Sequence, residues 1–236
     1  MNVIRCFQFN PLAFAVFGFF MISFLSQNAR TMPEGVIIRY DESGAPSYIK
    51  GENLSSHLDD DPYFRILKEK GLYVDTVYYF LQSRRELLKI VDPRQEFEIT
   101  GEKIDELGFK HITLQQVLNG IAIWGRSISV HLNQDNHVYL LKGHYEPTLK
   151  NVDTTPILSA EQAADRAISE APGVEEGWCA EEKKLSILMV EAQNPRLVYR
   201  VTLVRGFTRR EYYFVDARDG KILHKMSGTP SGHSLE

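Results

Sequence analysis

The spacing of apolar residues changes along the chain, and each spacing predicts a different kind of element. The segment GVIIRYDESGAPSYIKGENL predicts two strands around a Ser43-Gly44 turn, with the second strand ending at Gly51. Asp61-Pro62 predicts the start of a helix. Between residues 74 and 91 the apolar side chains recur at helical spacing, until Asp92-Pro93 ends the pattern. This stripe predicts a helix whose apolar side faces a core.

Between residues 97 and 145 the apolar period becomes two, which predicts strands. Asn119-Gly120 predicts a type I′ hairpin turn, because both central residues of that turn need a positive φ. Gly125 then predicts a bulge or bend at the end of a short strand. In the next strand, 127–132, polar residues alternate with isoleucine, valine and leucine, so we expect one face of it to be buried.

A polar segment with two prolines, 146–156, separates this pattern from a different one and is the predicted linker. Ser159 and Gln162 have the spacing of a capping box at the start of an alanine-faced helix, which Pro172-Gly173 ends. Three strands follow, and an Asp219-Gly220 turn leads into a fourth. We therefore predict an α+β fold of two small domains, each an antiparallel sheet packed with one or two helices.

The first thirty residues differ from the rest of the chain. Leu12 to Leu25 is an apolar run of 14 residues, which fits the apolar region of about 7–15 residues in a signal peptide. It is shorter than the roughly 20 residues that a spanning helix needs. We predict a signal peptide over 1–29 and hence a secreted, periplasmic or envelope location; an uncleaved anchor in the membrane is the alternative.

The overall composition is that of an ordinary globular chain. The 236 residues are 43% hydrophobic and 25% charged, which is enough for one large or two small cores. With 27 basic and 31 acidic residues the net charge is -4, which indicates no nucleic-acid partner. Cys6 lies in the predicted signal peptide, so Cys179 is expected to be the lone thiol of the mature chain and no internal disulfide is predicted.

The segment DELGFKHITLQQVLNGIAIWGRSISVHLNQDNHVYLLKGHYEP resembles the fungalysin/thermolysin propeptide domain of thermolysin-like zinc metalloproteases. The matching residues are, in order, Gln116, Gly120, Ile121, Trp124, Gly125, Val130, His131, Leu132 and Gly143. Ala122 stands where that family usually has proline, which loosens the turn but keeps its glycines. We expect this propeptide-like domain to span 34–145.

The second half is similar to the PepSY module that follows in such precursors, and this resemblance implies a cystatin-like fold over 157–226 with a flexible tail over 227–236. Asp216, Ala217, Gly220 and Lys221 match its closing hairpin. Together the two resemblances imply a region that assists folding of a protease and blocks its cleft. The zinc-binding pattern H-E-x-x-H of such a protease does not occur in these 236 residues, so we expect the chain not to be an enzyme.

The partner expected from this resemblance is a thermolysin-like zinc metalloprotease, acting in trans or from the same precursor. The residues predicted to contact it are Gln116, Trp124, His131, Tyr213 and His224. The glycines predicted to be structural are Gly120, Gly125, Gly143 and Gly220. No metal site, catalytic residue or cofactor is expected. Two alternatives remain open: the pre-pro fragment of a metalloprotease precursor, and an envelope-associated PepSY-type module that binds another ligand.

Overall fold

The structure, a computed structural model, describes residues 33–147, 149, 152–173, 177–190, 194–206 and 209–228. The predicted signal peptide and the predicted tail beyond Gly228 lie outside the described residues. In the part of the chain that is described, no helix is both long and apolar enough to cross a bilayer.

The first unit is built on a six-stranded antiparallel sheet. Its strands are β1 (Ile37–Tyr40), β2 (Pro46–Lys50), β3 (Phe97–Ile104), β4 (Lys110–Leu118), β5 (Ile121–Leu132) and β6 (Val138–His144). They pair in the order β1-β2-β6-β5-β4-β3. Asn119 and Gly120 have φ values of 52° and 74°, so the predicted hairpin turn between β4 and β5 is confirmed.

Short helices cover one face of this sheet. They are a 3₁₀ turn (Ser56–Leu58), α1 (Pro62–Glu69), α2 (Tyr73–Ser83), α3 (Arg85–Leu88) and α4 (Pro93–Glu96). The predicted helix start is confirmed, because the Asp61 carboxylate accepts hydrogen bonds from the backbone N–H groups of Tyr63 and Phe64. Pro62 occupies the first helical position, where its missing N–H costs nothing.

The prediction of one helix up to Asp92 is wrong, because the chain turns at Arg84 and α3 ends at Leu88. Arg84 is 2% exposed, and its guanidinium lies 2.8 Å from Nδ1 of His57 and 3.4 Å from the carbonyl of Leu54. A buried guanidinium needs such hydrogen-bond partners. The chain therefore leaves the helical path at Arg84, where the side chain reaches them, although the apolar spacing continues. The last residue of the predicted stripe, Val91, is consequently outside the core and 73% exposed.

The first core lies between the helices and one face of the sheet. Helix residues Val77, Phe80 and Leu81 pack there against strand residues of the first sheet. The strand residues in this core include Ile49, Ile112, Leu114, Ile128, Val130, Leu132 and Leu141. Within 127–132 they alternate with Ser127, Ser129 and His131, which point to the opposite face, so the half-buried pattern predicted for this strand is confirmed.

The second unit places one helix on a four-stranded antiparallel sheet. Its elements are α5 (Ala160–Ser169), β7 (Cys179–Met189), β8 (Pro195–Arg205), β9 (Arg209–Asp216) and β10 (Ile222–Ser227), and the strands pair in chain order. The capping box of Ser159 and Gln162 is confirmed. Small side chains on α5, among them Ala163 and Ala167, let the helix pack closely on the sheet. The predicted α+β fold is therefore confirmed.

The two sheets meet at β5. Beyond its pairing with β4 and β6, this strand pairs in parallel with β7 through Ile123 and Ile187. Both residues are fully buried in the core under α5. The Ser186 hydroxyl adds a 2.9 Å hydrogen bond to the carbonyl of Ala122. One strand thus belongs to both units and fixes how they are joined.

Candidate partner interface

A large bulge in β5 makes it possible for one strand to serve two sheets. Gln115 pairs with Ser127, whereas Val117 pairs with Ala122, so the four residues 123–126 lie opposite Gln116 alone. The Gln115 amide fills the bulge by donating to the carbonyls of Ile123 (2.8 Å) and Arg126 (2.7 Å). The bulge predicted at Gly125 is confirmed, and its φ of 70° is the backbone conformation that favours glycine.

The bulge directs Trp124 onto the face of the second sheet that α5 does not cover. Its ring lies edge-on to Phe214, with centroids 5.2 Å apart, and the Arg200 guanidinium lies 5.0 Å above it. On the other side of Phe214 lies the ring of His224, at a centroid distance of 5.6 Å. The Phe214 ring itself is fully buried. We call the surface that Trp124, Tyr212 and His224 form over it the aromatic face. The structure thus brings together two of the five residues predicted to contact a partner.

Three arginines around the aromatic face are paired with carboxylates, whereas Lys184, opposite Arg200 on the neighbouring strand, is exposed with no carboxylate partner among the described residues. Arg200 lies 2.6 Å from Glu182, and Arg196 lies 2.5 Å from the buried carboxylate of Asp216. Arg210 makes a third pair with Glu181 at 2.7 Å. Since these charges largely cancel, the face offers ring surfaces and methionine rather than net charge to a partner: Met226 is 39% exposed beside it.

Two other predicted contact residues lie inside the fold. Gln116 is 2% exposed, and its amide exchanges two hydrogen bonds with the backbone of Glu146. Tyr213 is 1% exposed and belongs to the core under α5. Strand alternation places Tyr213 on the helix side and its neighbours, Tyr212 and Phe214, on the aromatic face. Contacts of Gln116 and Tyr213 with a partner remain predictions.

His131 lies on the face of the first sheet that the helices do not cover. Its Nδ1 is 2.5 Å from Nδ1 of His111, whose Nε2 is 3.0 Å from the Asp105 carboxylate. Burial, followed by the neighbouring charges of His111 and Lys142, lowers the pKa of His131 to about 4. The hydrogen bond from His111 lowers the pKa of Asp105. His131 is therefore neutral at neutral pH, and its Nε2 has no hydrogen-bond partner among the described residues.

This histidine pair does not form a metal centre within the described ranges, where no group of three His, Cys, Asp or Glu side chains is arranged to hold an ion. The two Nδ1 atoms point at each other at hydrogen-bonding distance. One ring therefore donates and the other accepts, and both nitrogens are occupied by that bond.

Gly143 is the glycine with the strictest steric requirement. A Cβ atom at this position would lie 2.2 Å from the carbonyl oxygen of Ser127 on the neighbouring strand. Its φ of 137° also lies outside the range that other residues readily adopt. Gly220 is in the turn between β9 and β10, where its N–H donates to the carbonyl of Asp216 at 3.0 Å.

The sequence reasoning missed the roles of Arg200 and Phe214 in holding Trp124. Strand alternation in β8 and β9 groups these two side chains on one face once their pairing is known. The missing information was which face the helix covers, since each of the two strands carries apolar residues on both faces.

Two family models match the chain in tandem. Residues 95–145 match the Fungalysin/Thermolysin Propeptide Motif, and residues 157–225 match the Peptidase propeptide and YPEB domain. The chain therefore carries both motifs, and it resembles the propeptide region of thermolysin-like metalloproteases. The first match begins within α4, so 34–94 lie outside it.

Curated relatives agree with these matches. Thermolysin of Alicyclobacillus acidocaldarius is 28% identical over 176 residues, which cover 69% of this chain and 31% of the relative. Bacillolysin of Brevibacillus brevis is 31% identical over 165 residues, covering 65% and 31%. The chain thus spans about a third of the length of the relatives that it matches. Among solved structures, the C-terminal domain of Bacillus megaterium YpeB is 12% identical, with a TM-score of 0.40 over 87% of this chain and 96% of that one.

Proposed function

We propose that this chain is an exported, non-catalytic propeptide-like protein that binds a thermolysin-like zinc metalloprotease. Binding inhibits the protease, assists its folding, or does both. The observation that carries the proposal is the tandem of the two propeptide motifs, together with the similarity to thermolysin and bacillolysin. The proposal includes both arrangements, a partner in trans and a protease in the same precursor.

The aromatic face is the contact surface that we propose for the second unit. Trp124 and His224 lie on either side of the buried Phe214 ring there, and the arginines around them are neutralised by carboxylates. Aromatic side chains are enriched in protein interfaces because they bury a large area at a small cost in side-chain entropy. The face ends at β10, from which the chain continues into the predicted tail.

The test is a titration of purified thermolysin with the full chain and with a chain that ends at Lys225, with peptide hydrolysis as the readout. We expect inhibition by the full chain at micromolar concentration or below. A parallel assay measures how much activity denatured protease recovers when it refolds with the chain. The proposal is overturned if neither assay responds at a large molar excess.

Substitution of His224 separates the aromatic face from other surfaces. His224→Ala removes an exposed ring from this face, and we expect it to weaken inhibition about tenfold. Lys225→Ala is the matched control, because Lys225 is exposed on the same strand but pairs with Tyr213 on the helix side. Equal inhibition by the parent chain and both variants would exclude the aromatic face while leaving the proposed binding intact.

A further inference from the structure

The uncovered face of the first sheet is cationic and follows a regular arrangement. Directly paired residues on adjacent strands point to the same side of a sheet, so the pairing defines rows that cross all six strands. One row is Arg39, Tyr48, Lys142, Ser129, Thr113 and Gly101. The next row is Ile37, Lys50, Leu140, His131, His111 and Lys103. We call the surface of these two rows the open face.

Four cations on the open face have no carboxylate partner in the part of the chain that the structure describes. They are Arg39, Lys50, Lys103 and Lys142, and all four are exposed. Arg39 lies over the ring of Tyr48, 5.3 Å from its centroid, and this contact leaves its charge uncompensated. This contrasts with the aromatic face, where each arginine beside the rings has a carboxylate within 2.7 Å.

Acidic residues are few on this face and lie towards its margin. Asp105 is engaged with His111, and Asp41 lies 3.8 Å from His144 in the following row. Glu98 pairs with Gln115 at the far end of that row. The whole chain has a net charge of -4, so the excess of positive charge on the open face is local.

The shape of the open face also suits a broad contact. Between the cations lie the small side chains of Ser129 and Thr113, and Gly101 ends their row with no side chain. Leu140 is half-buried and Ile37 is 53% exposed, so each offers apolar area beside a lysine. The opposite side of the sheet is occupied by the helices and the first core, and the described residues leave the open face uncovered.

We propose that the open face binds an acidic surface of the protease partner through Arg39, Lys50, Lys103 and Lys142. This inference rests on the proposed function, and it adds a second contact of different chemistry to the aromatic face. Unpaired cations on a rigid sheet mainly accelerate association with an oppositely charged surface, and salt screens that effect. The aromatic face, which carries little net charge, governs dissociation in this scheme.

The test measures association of the full chain with immobilised thermolysin. Lys50 and Lys142 are diagonal neighbours in the two rows, so the double variant Lys50→Glu/Lys142→Glu reverses the centre of the positive patch. We expect its association rate constant to fall about tenfold at low salt. The neutral variant Lys50→Gln/Lys142→Gln should show an intermediate loss, and the rate of the parent chain should decrease as salt rises.

The matched control is Arg65→Glu/Lys70→Glu, which makes the same change of charge. Both residues are exposed in or next to α1, on the side of the sheet opposite the open face. We expect association within about twofold of the parent chain. Far-ultraviolet circular dichroism and urea unfolding establish that all variants are folded.

The outcomes separate this inference from the function on which it rests. If the parent chain does not bind thermolysin, both proposals are overturned. If it binds but the two glutamate variants slow association equally, or salt has no effect, the open face is excluded and the proposed function stands. Binding of the parent chain and of Lys50→Glu/Lys142→Glu to phosphatidylglycerol vesicles is measured as well. If the double variant binds the protease like the parent chain but no longer binds the vesicles, the open face contacts a membrane and the inference is overturned.

Discussion

Gln116 and Glu146 are joined by two hydrogen bonds, which connect β4 of the first sheet to the start of the predicted linker, 146–156. The Gln116 amide nitrogen donates to the Glu146 carbonyl, and its oxygen accepts from the Glu146 N–H, both at 2.8 Å. Gln116 is also the residue that faces the bulge in β5. The predicted linker 146–156 therefore begins on a residue held within the fold.

Loss of the two hydrogen bonds between Gln116 and Glu146 should destabilise the fold. Gln116→Ala leaves two buried backbone groups of Glu146 without these bonds, and we expect the free energy of unfolding to fall by about 3 kcal/mol. Urea unfolding followed by circular dichroism measures it. Gln82→Ala, at an exposed position of α2, is the control and should change stability by less than about 0.5 kcal/mol. Similar effects of the two substitutions would contradict the role given to Gln116.

Gly143 and Gly125 should respond very differently to alanine, although both have positive φ values. Alanine at 143 would place Cβ 2.2 Å from a backbone oxygen, so the strands must separate and we expect a loss of more than about 3 kcal/mol. At Gly125 a Cβ meets no atom within 4 Å, and the left-handed backbone alone costs about 1–2 kcal/mol. The order of the two melting temperatures checks this, and an inverted order would show the β5–β6 pairing to be misplaced.

Stability should fall on mild acidification because the buried His131 and the half-buried His57 resist protonation. Burial is the main cause that lowers the pKa of both His131 and His57 to about 4; the charge of His111 adds to the effect at His131, and that of Arg84 at His57. Between pH 6.5 and 4 the unfolded chain therefore binds more protons than the folded chain. In that window each histidine contributes up to about 1.4 kcal/mol per pH unit to the loss of unfolding free energy, and above pH 6.5 the contribution vanishes.

His131→Gln tests the share of His131 in this pH dependence. We expect a shallower decline of unfolding free energy from pH 6.5 to 4.5, whatever the variant does to stability at pH 7. The parent chain, measured over the same pH range, is the reference for this slope. An unaltered slope in His131→Gln would mean that His131 accepts a proton in the folded state as readily as in the unfolded one.

The capping box of α5 offers a smaller, local prediction. The Ser159 hydroxyl accepts from the Gln162 N–H at 3.2 Å, and the Gln162 side chain accepts from the Ser159 N–H at 2.8 Å. Ser159→Ala should cost about 1 kcal/mol, whereas Ser159→Asp keeps an acceptor and should remain close to the parent chain. Thermal unfolding of the three proteins compares them, and equal melting temperatures would mean that the box does not stabilise the helix.

Features that depend on neighbouring residues followed from the sequence alone. The Asn119-Gly120 turn, the Asp61-Pro62 helix start and the Ser159 capping box each rest on the backbone preferences of a few consecutive residues. Strand alternation likewise identified the buried positions of 127–132, because the period of two is a property of the strand itself. The bulge at Gly125 was also readable from one glycine placed between two apolar runs.

Features that depend on distant partners were decided only by the tertiary structure. The break at Arg84 arises from contacts with Leu54 and His57, which lie 30 and 27 residues earlier in the chain. No local sequence pattern predicts contacts over that separation. The shared use of β5 by two sheets needs Ile187, which lies 64 residues beyond Ile123 in the chain. Tyr213 and Phe214 are both buried. Which of them lies in the core under α5 was settled by where α5 packs, since alternation fixes that neighbours point apart but not which side the helix covers.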